Sequence, residues 1–322
     1  MRNIENVSVL MTVYNDAEYI KAAIRSILSQ TFRDFELIII DDGSTDLTQN
    51  TIMTFHDPRI RYFYVNHIGR EKALNMGLKM ANYDWISIMD SDDIAHPKRL
   101  AIQVSKLNSG EMNVIGCNSA IFNNNNIHYL LLNQGDHRKV LPRLALHCIL
   151  THSGIMYQRD LVVQAGGYNE CLVEDYDLFL RLKGVAKFYI LPDILSFIRL
   201  RNDSRHNRDV LSSANTVHAL LQKYYIRGIS EEFEIEKNQI NNFWGWREYF
   251  YGNKSEARKY WRISLKTELN GRVLIAFIIS YIPEFFFTEF RKSRITLRIR
   301  YLIFYFSKAN RDLRRLFSDI DS

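Results

Sequence analysis

The sequence is short of the residues that staple or loosen a fold, and each shortage excludes a class. It has three cysteines in 322 residues, Cys117, Cys148 and Cys171, with no CxxC pair. Neither a disulfide framework nor a structural zinc site is expected, and the usage fits a reducing compartment. Five prolines and 14 glycines are too few for a collagen-like or low-complexity chain. The N-terminus MRNIENVSVLMTVYND lacks the unbroken apolar core of a signal peptide, so secretion is not expected. No apolar run reaches the roughly 20 residues of a membrane span. The most apolar, Val273–Phe287, is 15 residues long and carries Pro283 and Glu284.

What is present is an ordinary globular balance, 47 % hydrophobic and 24 % charged, too apolar for a disordered chain. The length allows one large domain or two smaller ones. Lys and Arg number 42 against 36 Asp and Glu, a formal net charge of +6. That excess is unevenly placed. Residues 1–242 hold 26 basic and 28 acidic residues, net −2, whereas residues 243–322 hold 16 and 8, net +8. A nucleic-acid binder would carry its basicity on the main domain, so no nucleic-acid partner is expected. The division suits a catalytic body joined to a basic docking segment.

Short apolar runs alternate with helical patterns in the first hundred residues. Val7–Val13, Phe35–Ile40, Ile60–Val65 and Trp85–Met89 read as strands. Between them Ile20, Ile24, Ile27 and Leu28 recur at helical spacing, a second helix is expected to about His56, and a third covers Glu71–Ala81. This alternation predicts an α/β fold with a mostly parallel sheet flanked by helices. A helix from Pro97 to about Ser109, a strand over Asn113–Phe122 and a helix around Leu178–Leu182 follow. Beyond Arg208 the pattern is helical throughout. The chain is therefore divided into a body, residues 1–210, and a basic helical C-terminal region, residues 211–322.

Ligands of such sheets bind beyond the C-terminal strand ends. Here those ends carry Thr12 to Asp16, Asp41 to Asp46 and Asp90 to Asp93. Aspartates at i and i+2 after a strand can converge on one cation, and hard divalent cations take oxygen ligands shared with substrate phosphates. The alternative for Asp90-Ser91-Asp92-Asp93 is a solvated acidic turn. The second acidic strand end, Asp41-Asp42, favours a metal–nucleotide site. A carboxylate there can accept from a base N–H or a ribose hydroxyl, Gly43 permits a tight turn, and Ser44 or Thr45 caps the next helix.

VSVLMTVYND…AIRSILSQTFRDFELIIIDDGSTD resembles the opening of family 2 glycosyltransferases, which have the GT-A (Rossmann-like) fold. The likeness continues through GREKALNMGLKMANYDWISIMDSDDIAHPKRL, with the family's Asn-x-Gly helix and DxD strand end. It continues again through THSGIMYQRD…AGGYNE…VEDYDLFLRL, where the family has its Glu-Asp motif. Bacterial enzymes of surface polysaccharide assembly, such as O-antigen or capsule, look most similar. The resemblance implies that Thr12, Tyr14 and Asp41 or Asp42 bind the nucleoside, usually uridine. It implies Asp90 near the ribose, Asp92 as ligand to Mg²⁺ or Mn²⁺, and Arg70, Lys72 and Asn75 near the diphosphate. Asp175 takes the place of the general base, with Glu174 and His152 on the acceptor side. Asp177 reads equally as structural, and so does His152. One departure stands out in Ser196–Arg201. Arg199 matches the family, but Arg201 stands where many members have a His, so a His ligand to the metal from that place is in question. Both guanidinium groups suit a diphosphate; the alternative is two surface arginines.

The chemistry implied is a single displacement in which an α-linked UDP-sugar gives a β-glycoside. A divalent ion stabilises the charge growing on the leaving diphosphate, and Asp175 takes the proton of the acceptor hydroxyl. The segment Arg291–Leu316 places Ile295, Ile299, Leu302, Phe306 and Leu313 on one helical face, with Arg294, Arg298, Lys308, Arg311 and Arg315 around the rest. That pattern is either an interfacial helix on an anionic leaflet or a helix packed on the body. The first suits a peripheral enzyme on the cytoplasmic face of the membrane, with an acceptor saccharide on a polyprenyl diphosphate. Two other readings stand beside this one. A nucleotidyltransferase would need a Gly-rich phosphate loop, and VSVLMTVYNDAEYI has no glycine. A non-catalytic nucleotide-binding scaffold would not need Asp90, Asp92 and Asp175.

Overall fold

Every residue of β1 (Val7–Val13) and β2 (Phe35–Asp41) is buried, as their unbroken apolar runs predict. The computed structural model describes residues 3–201, apart from 124–125 and 147, and a set of residues between 216 and 281 that includes 253–267. Seven further strands join these two: β3 (Ile60–Tyr64), β4 (Trp85–Asp90), β5 (Ile94–Ala95), β6 (Val114–Asn123), β7 (Asn126–Leu131), β8 (Met156–Gln158) and β9 (Phe188–Arg199). The sheet runs β3-β2-β1-β4-β8-β6-β9-β5, with β7 beside β6. The first four are mutually parallel. β6 and β9 are parallel as well, while β8, β5 and β7 pair antiparallel with their neighbours. In register, Thr12 lies opposite Asp90 and Val13 opposite Asp41, so the polar strand ends meet along one edge.

The helices are α1 (Ile20–Leu28), α2 (Thr48–Met53), α3 (Arg70–Met80), α4 (Arg99–Asn108), α5 (His137–Leu146), α6 (Arg159–Gln164), α7 (Glu174–Leu182) and, beyond the body, α8 (Lys254–Thr267). Alternate strand residues feed two cores, as the two-residue period of a strand requires. Leu10, Ile38, Ile40 and Ile88 pack with α3, α5 and α7, whereas Val9, Met11, Leu37 and Ile39 pack with α1 and α4. Helix α3 sits so close to β1 that a Cβ on Gly77 would lie 2.1 Å from Leu10 Cδ1. That contact fixes the start of α3 over the strand ends.

Part of the C-terminal region docks on the body. Leu220, Leu221 and Trp244 share the core of Leu178 and Phe179, and the Tyr224 hydroxyl donates to Asp177 Oδ1 at 2.9 Å. Further on, Ala257 and Trp261 of α8 pack with Val273. The boundary near 210 and the amphipathic stretch Arg291–Leu316 lie outside the described residues. Among the described residues, no helix is long and apolar enough to cross a membrane.

Candidate active site

Arg70, the first residue of α3, gathers four elements onto one guanidinium. Its Nε donates to Glu174 Oε1 at 2.7 Å and its NH2 to Asp90 Oδ1 at 2.6 Å. NH1 reaches Thr12 Oγ1 at 3.3 Å, and NH2 also lies 3.1 Å from His152 Nδ1. A planar fork with five N–H donors can serve four partners at once; an ammonium cannot. Burial alone would raise the Asp90 carboxyl and lower Arg70, but the charges override it. Arg70, then His152, hold Asp90 well below the carboxylate range, and Asp90 and Glu174 hold Arg70 well above its ordinary value.

His152 is held from both sides. Its Nδ1 lies between Arg70 NH2 and the Asp90 carboxylate, and its Nε2 lies 3.0 Å from the Tyr168 hydroxyl. Tyr168 in turn meets the Tyr157 hydroxyl at 2.9 Å. The Tyr168 backbone is clamped by Asn75, which donates Nδ2–H to its carbonyl and accepts from its N–H, both at 2.8 Å. Gly167, at φ 72°, permits this approach, because a Cβ there would lie 2.3 Å from Asn75 Oδ1. Behind the turn His152–Gly154, fully buried Arg99 donates to the Ser153 carbonyl, and Gln103 Nε2 donates to the Gly154 carbonyl at 2.9 Å. On the front, Ser153 Oγ accepts the Asp90 N–H at 3.1 Å.

Helix α7 opens with Glu174-Asp175. The Asp175 carboxyl is raised by burial first and by the Glu174 charge second, with His152, the Tyr176 N–H and Arg70 offsetting part of this. Asp177 faces the other way. It accepts from Asn169 Nδ2 at 2.8 Å, Arg181 Nε at 2.9 Å and the Tyr224 hydroxyl, and its role is structural.

Past β4 the chain turns, and Asp92 comes beside Asp16. Arg201 NH1 bridges them, 3.1 Å from Asp92 Oδ2 and 2.5 Å from Asp16 Oδ1, while Ser91 Oγ donates to Asp16 Oδ2. Burial, then the charges of Asp90 and Asp16, push the Asp92 carboxyl up to about 6, against the pull of Arg201. Arg199 buttresses this turn. Its Nε donates to the Asp92 carbonyl at 2.8 Å, its N–H to Asp93 Oδ1 at 2.8 Å, and its guanidinium lies over the rings of Tyr19 and Phe122. Among the described residues no three His, Cys, Asp or Glu side chains are placed to hold a metal by themselves. The donors present are carboxylate oxygens, which suit Mg²⁺ or Mn²⁺ completed by substrate phosphates. In that chemical sense the residues fit such an ion.

At the far end of the same edge, Asp41 is fully buried and accepts from the Ser44 N–H and the Tyr62 hydroxyl, both at 2.8 Å. Asp42 accepts from the N–H groups of Ile68 and Gly69, at 2.6 and 3.1 Å. Both carboxylates thus tie the loops after β2 and β3. Tyr14 stacks on His67 with ring centroids 4.3 Å apart.

The structure therefore brings Thr12, Arg70, Asp90, His152 and Glu174 together, with Asp175 next in chain to Glu174, and sets Asp92 and Arg201 beside them. It does not bring Lys72 or Asn75 into the cluster: Lys72 pairs with Glu170 at the surface. Sequence reading missed Tyr168, Asp16 as the partner of Arg201, and His67, whereas it paired Ser153 with His152 as a candidate wall of the acceptor site. Only Asp16 carried a usable signal, as a polar residue at the β1 end.

The model of the family described as glycosyl transferase family 2 matches residues 8–163. The O-antigen biosynthesis glycosyltransferase WbnJ of Escherichia coli is 31 % identical over 251 residues, covering 76 % of this chain and 94 % of that one. The E. coli UDP-Glc:alpha-D-GlcNAc-diphosphoundecaprenol beta-1,3-glucosyltransferase WfgD is 32 % identical over 146 residues, covering 44 % of this chain and 58 % of that one. Among solved structures, S. aureus TarS 1-349 in complex with UDP-GlcNAc superposes with a TM-score of 0.60 at 15 % identity, covering 85 % of this chain and 79 % of that one. The mannosyltransferase PcManGT of Pyrobaculum calidifontis, in complex with GDP-Man and Mn2+, gives 0.59 at 15 % identity, covering 92 % and 86 %. These two likenesses show the fold, which is the GT-A fold. With the WbnJ likeness spanning nearly the whole of that relative, the chain belongs to glycosyl transferase family 2.

Proposed function

We propose that the chain moves a sugar from a UDP-sugar to a hydroxyl of a saccharide carried on a polyprenyl diphosphate, with inversion at the anomeric carbon. The observation that carries this reading is Arg70, which ties the strand ends Thr12 and Asp90 to Glu174, next to Asp175. One group thus registers the donor side against the base.

Asp175 accepts the hydroxyl proton while the acceptor oxygen bonds to the anomeric carbon and the bond from that carbon to the diphosphate breaks. A carboxyl raised by burial is the stronger base for that step. Arg201, already set among carboxylates, meets the departing diphosphate. Asp92, with Asp90 beside it, would hold Mg²⁺ or Mn²⁺, which would supply Lewis-acid stabilisation to the leaving group when bound. Thr12 and Tyr14 receive the nucleoside, with Asp41 and Asp42 shaping the loops around it. Glu174 and His152 set the acceptor side through Arg70, and Asn75 and Arg199 act from behind.

The acceptor class draws on the description of WfgD, and a place in surface polysaccharide assembly on WbnJ. The net +8 of residues 243–322 supports a peripheral place on the cytoplasmic face of a membrane, each basic residue near an anionic surface contributing about 1 kcal/mol.

The test is UDP release across UDP-glucose, UDP-galactose and their N-acetyl forms, with a synthetic polyprenyl-diphosphate saccharide and NMR of the product. One donor is expected to turn over and to give the β-anomer. Binding of UDP with no turnover of any donor favours the scaffold reading, and an α product refutes the single displacement. Flotation on anionic liposomes tests the membrane: neutralising Arg294, Arg298, Lys308, Arg311 and Arg315 should weaken it.

A further inference from the structure

Helix α8 (Lys254–Thr267) is basic, with five Lys and Arg against one Glu. Its residues Ala257, Trp261 and Leu265, at every fourth position, pack with Val273 and Phe277 of the segment that runs back along it. A second contact ties the helix to the body. Tyr260 stacks on Trp244 with ring centroids 6.3 Å apart, and Trp244 shares the core of Leu178 and Phe179 in α7. Helix α8 is thus packed onto the core of the helix that carries Asp175.

Arg258 and Arg262 stand two residues either side of Tyr260. A step of two turns a helix by about 200°, so both point away from the body contact. They meet the returning segment instead. Arg258 NH1 donates to the Ser280 carbonyl at 3.0 Å, and its guanidinium lies 4.6 Å over the Tyr281 ring. Arg262 NH2 donates to the Tyr281 hydroxyl at 3.2 Å, and its guanidinium lies 5.7 Å from the Phe277 ring centroid. Tyr281 belongs to an apolar row. Leu274, Ile278 and Tyr281 are 38, 57 and 56 % exposed, whereas Val273 and Ser280 are buried. Spacings of four and three residues put the row on one helical face. A single exposed apolar side chain is ordinary, but a row of them edged by guanidinium groups marks an interaction surface.

We propose that this row is the surface by which the protein lies on an anionic phospholipid bilayer. Leu274 and Ile278 enter the acyl boundary, Tyr281 sits at the headgroups, and Arg258 and Arg262 face the lipid phosphates. The inference rests on the reading of a peripheral enzyme with a lipid-linked acceptor, and it puts the contact on α8 and residues 274–281 instead of Arg291–Leu316. Charge decides the occupant: the basic excess of α8 suits an anionic leaflet. Apolar side chains beside a tyrosine and cationic heads are the pattern of interfacial binding. Because α8 packs onto the core of α7, docking there holds the base helix at a set distance from the leaflet that carries the acceptor.

The experiment is co-sedimentation of the full chain with vesicles of phosphatidylglycerol and phosphatidylcholine in equal parts, and with vesicles of phosphatidylcholine alone. The wild type should partition onto the anionic vesicles and far less onto the neutral ones. Replacing Leu274→Ser and Ile278→Ser together should lower that partition by about tenfold or more, and Arg262→Gln by about fivefold. These positions are exposed, so thermal unfolding should match the wild type. In the wild type, amide hydrogen exchange over residues 273–281 should slow on adding anionic vesicles, a readout that does not depend on a variant folding. Variants that bind like the wild type, or exchange at 273–281 indifferent to vesicles, overturn this surface and leave the peripheral reading to Arg291–Leu316. A wild type that ignores anionic vesicles overturns both.

Discussion

Asn75→Ala separates two roles for the helix that begins at Arg70. In the structure the Asn75 amide closes a two-way bond with the Tyr168 backbone, both arms at 2.8 Å, and Tyr168 is 3 % exposed. Removing the amide strands one N–H and one C=O in the interior. Each costs about 1–3 kcal/mol, so the pair costs roughly 2–5 kcal/mol after some relaxation. In a domain of about 200 residues 1 kcal/mol moves Tm by about 2–4 °C, which sets the expected drop at about 4–20 °C. The same change frees the Tyr168 hydroxyl from its place against His152, and through His152 it loosens Arg70. Turnover should therefore fall while KM for the donor stays nearly constant. Scanning fluorimetry and steady-state UDP release measure the two effects. An unchanged Tm with a raised donor KM would put Asn75 on the diphosphate and refute the clamp.

Arg70→Lys should lower kcat/KM by about a hundredfold or more, because one ammonium cannot hold Thr12, Asp90 and Glu174 in register and a misplacement of about 1 Å is enough for that loss. Near-normal kinetics would remove Arg70 from its central place. Gly77→Ala puts a Cβ 2.1 Å from Leu10 Cδ1 and should cost about 1–3 kcal/mol in urea unfolding, a loss that Leu10→Ala in the same chain partly reverses. Asp175→Asn should stabilise the protein as pH rises. Burial, then Glu174, raises the Asp175 carboxyl in the folded state, so its ionisation opposes folding above that raised value and not below the ordinary aspartate range of about 4. Thermal unfolding should show the variant ahead of wild type near pH 8 and level with it near pH 4; equal curves at both would contradict the raised carboxyl.

Local pattern carried the first half of the sheet. Continuous apolar runs placed β1 to β4 within a residue at each end; β1, β2 and β4 are buried on both faces, and sequence pattern reads burial directly, while β3 at the sheet edge is only half-buried. The rest of the sheet was harder to read. β9 holds Pro192 and Asp193, which look like a break, yet the strand continues because its register slips opposite Cys117 and Asn118 and Asn118 Nδ2 donates to the Pro192 carbonyl at 2.8 Å. The motif residues proved a mixed set for a similar reason. A sequence marks which polar residues sit at strand ends, but not where each side chain turns. Asp41 and Asn75 turn inward to bond the backbone or a neighbouring loop, whereas Arg70 turns across the ends and gathers what the motifs list separately. Tyr168 and His67 lay in polar segments that did not show their partners, and only the fold brings them to His152 and Tyr14.

Transfer by Asp175→Asn, measured against wild type with the same UDP-sugar and lipid-diphosphate acceptor, tests most directly that Asp175 is the base of a sugar transfer. UDP affinity should be unchanged while turnover falls by about 10²–10⁴-fold, the usual worth of a general base. Near-wild-type turnover in a folded Asp175→Asn would contradict it.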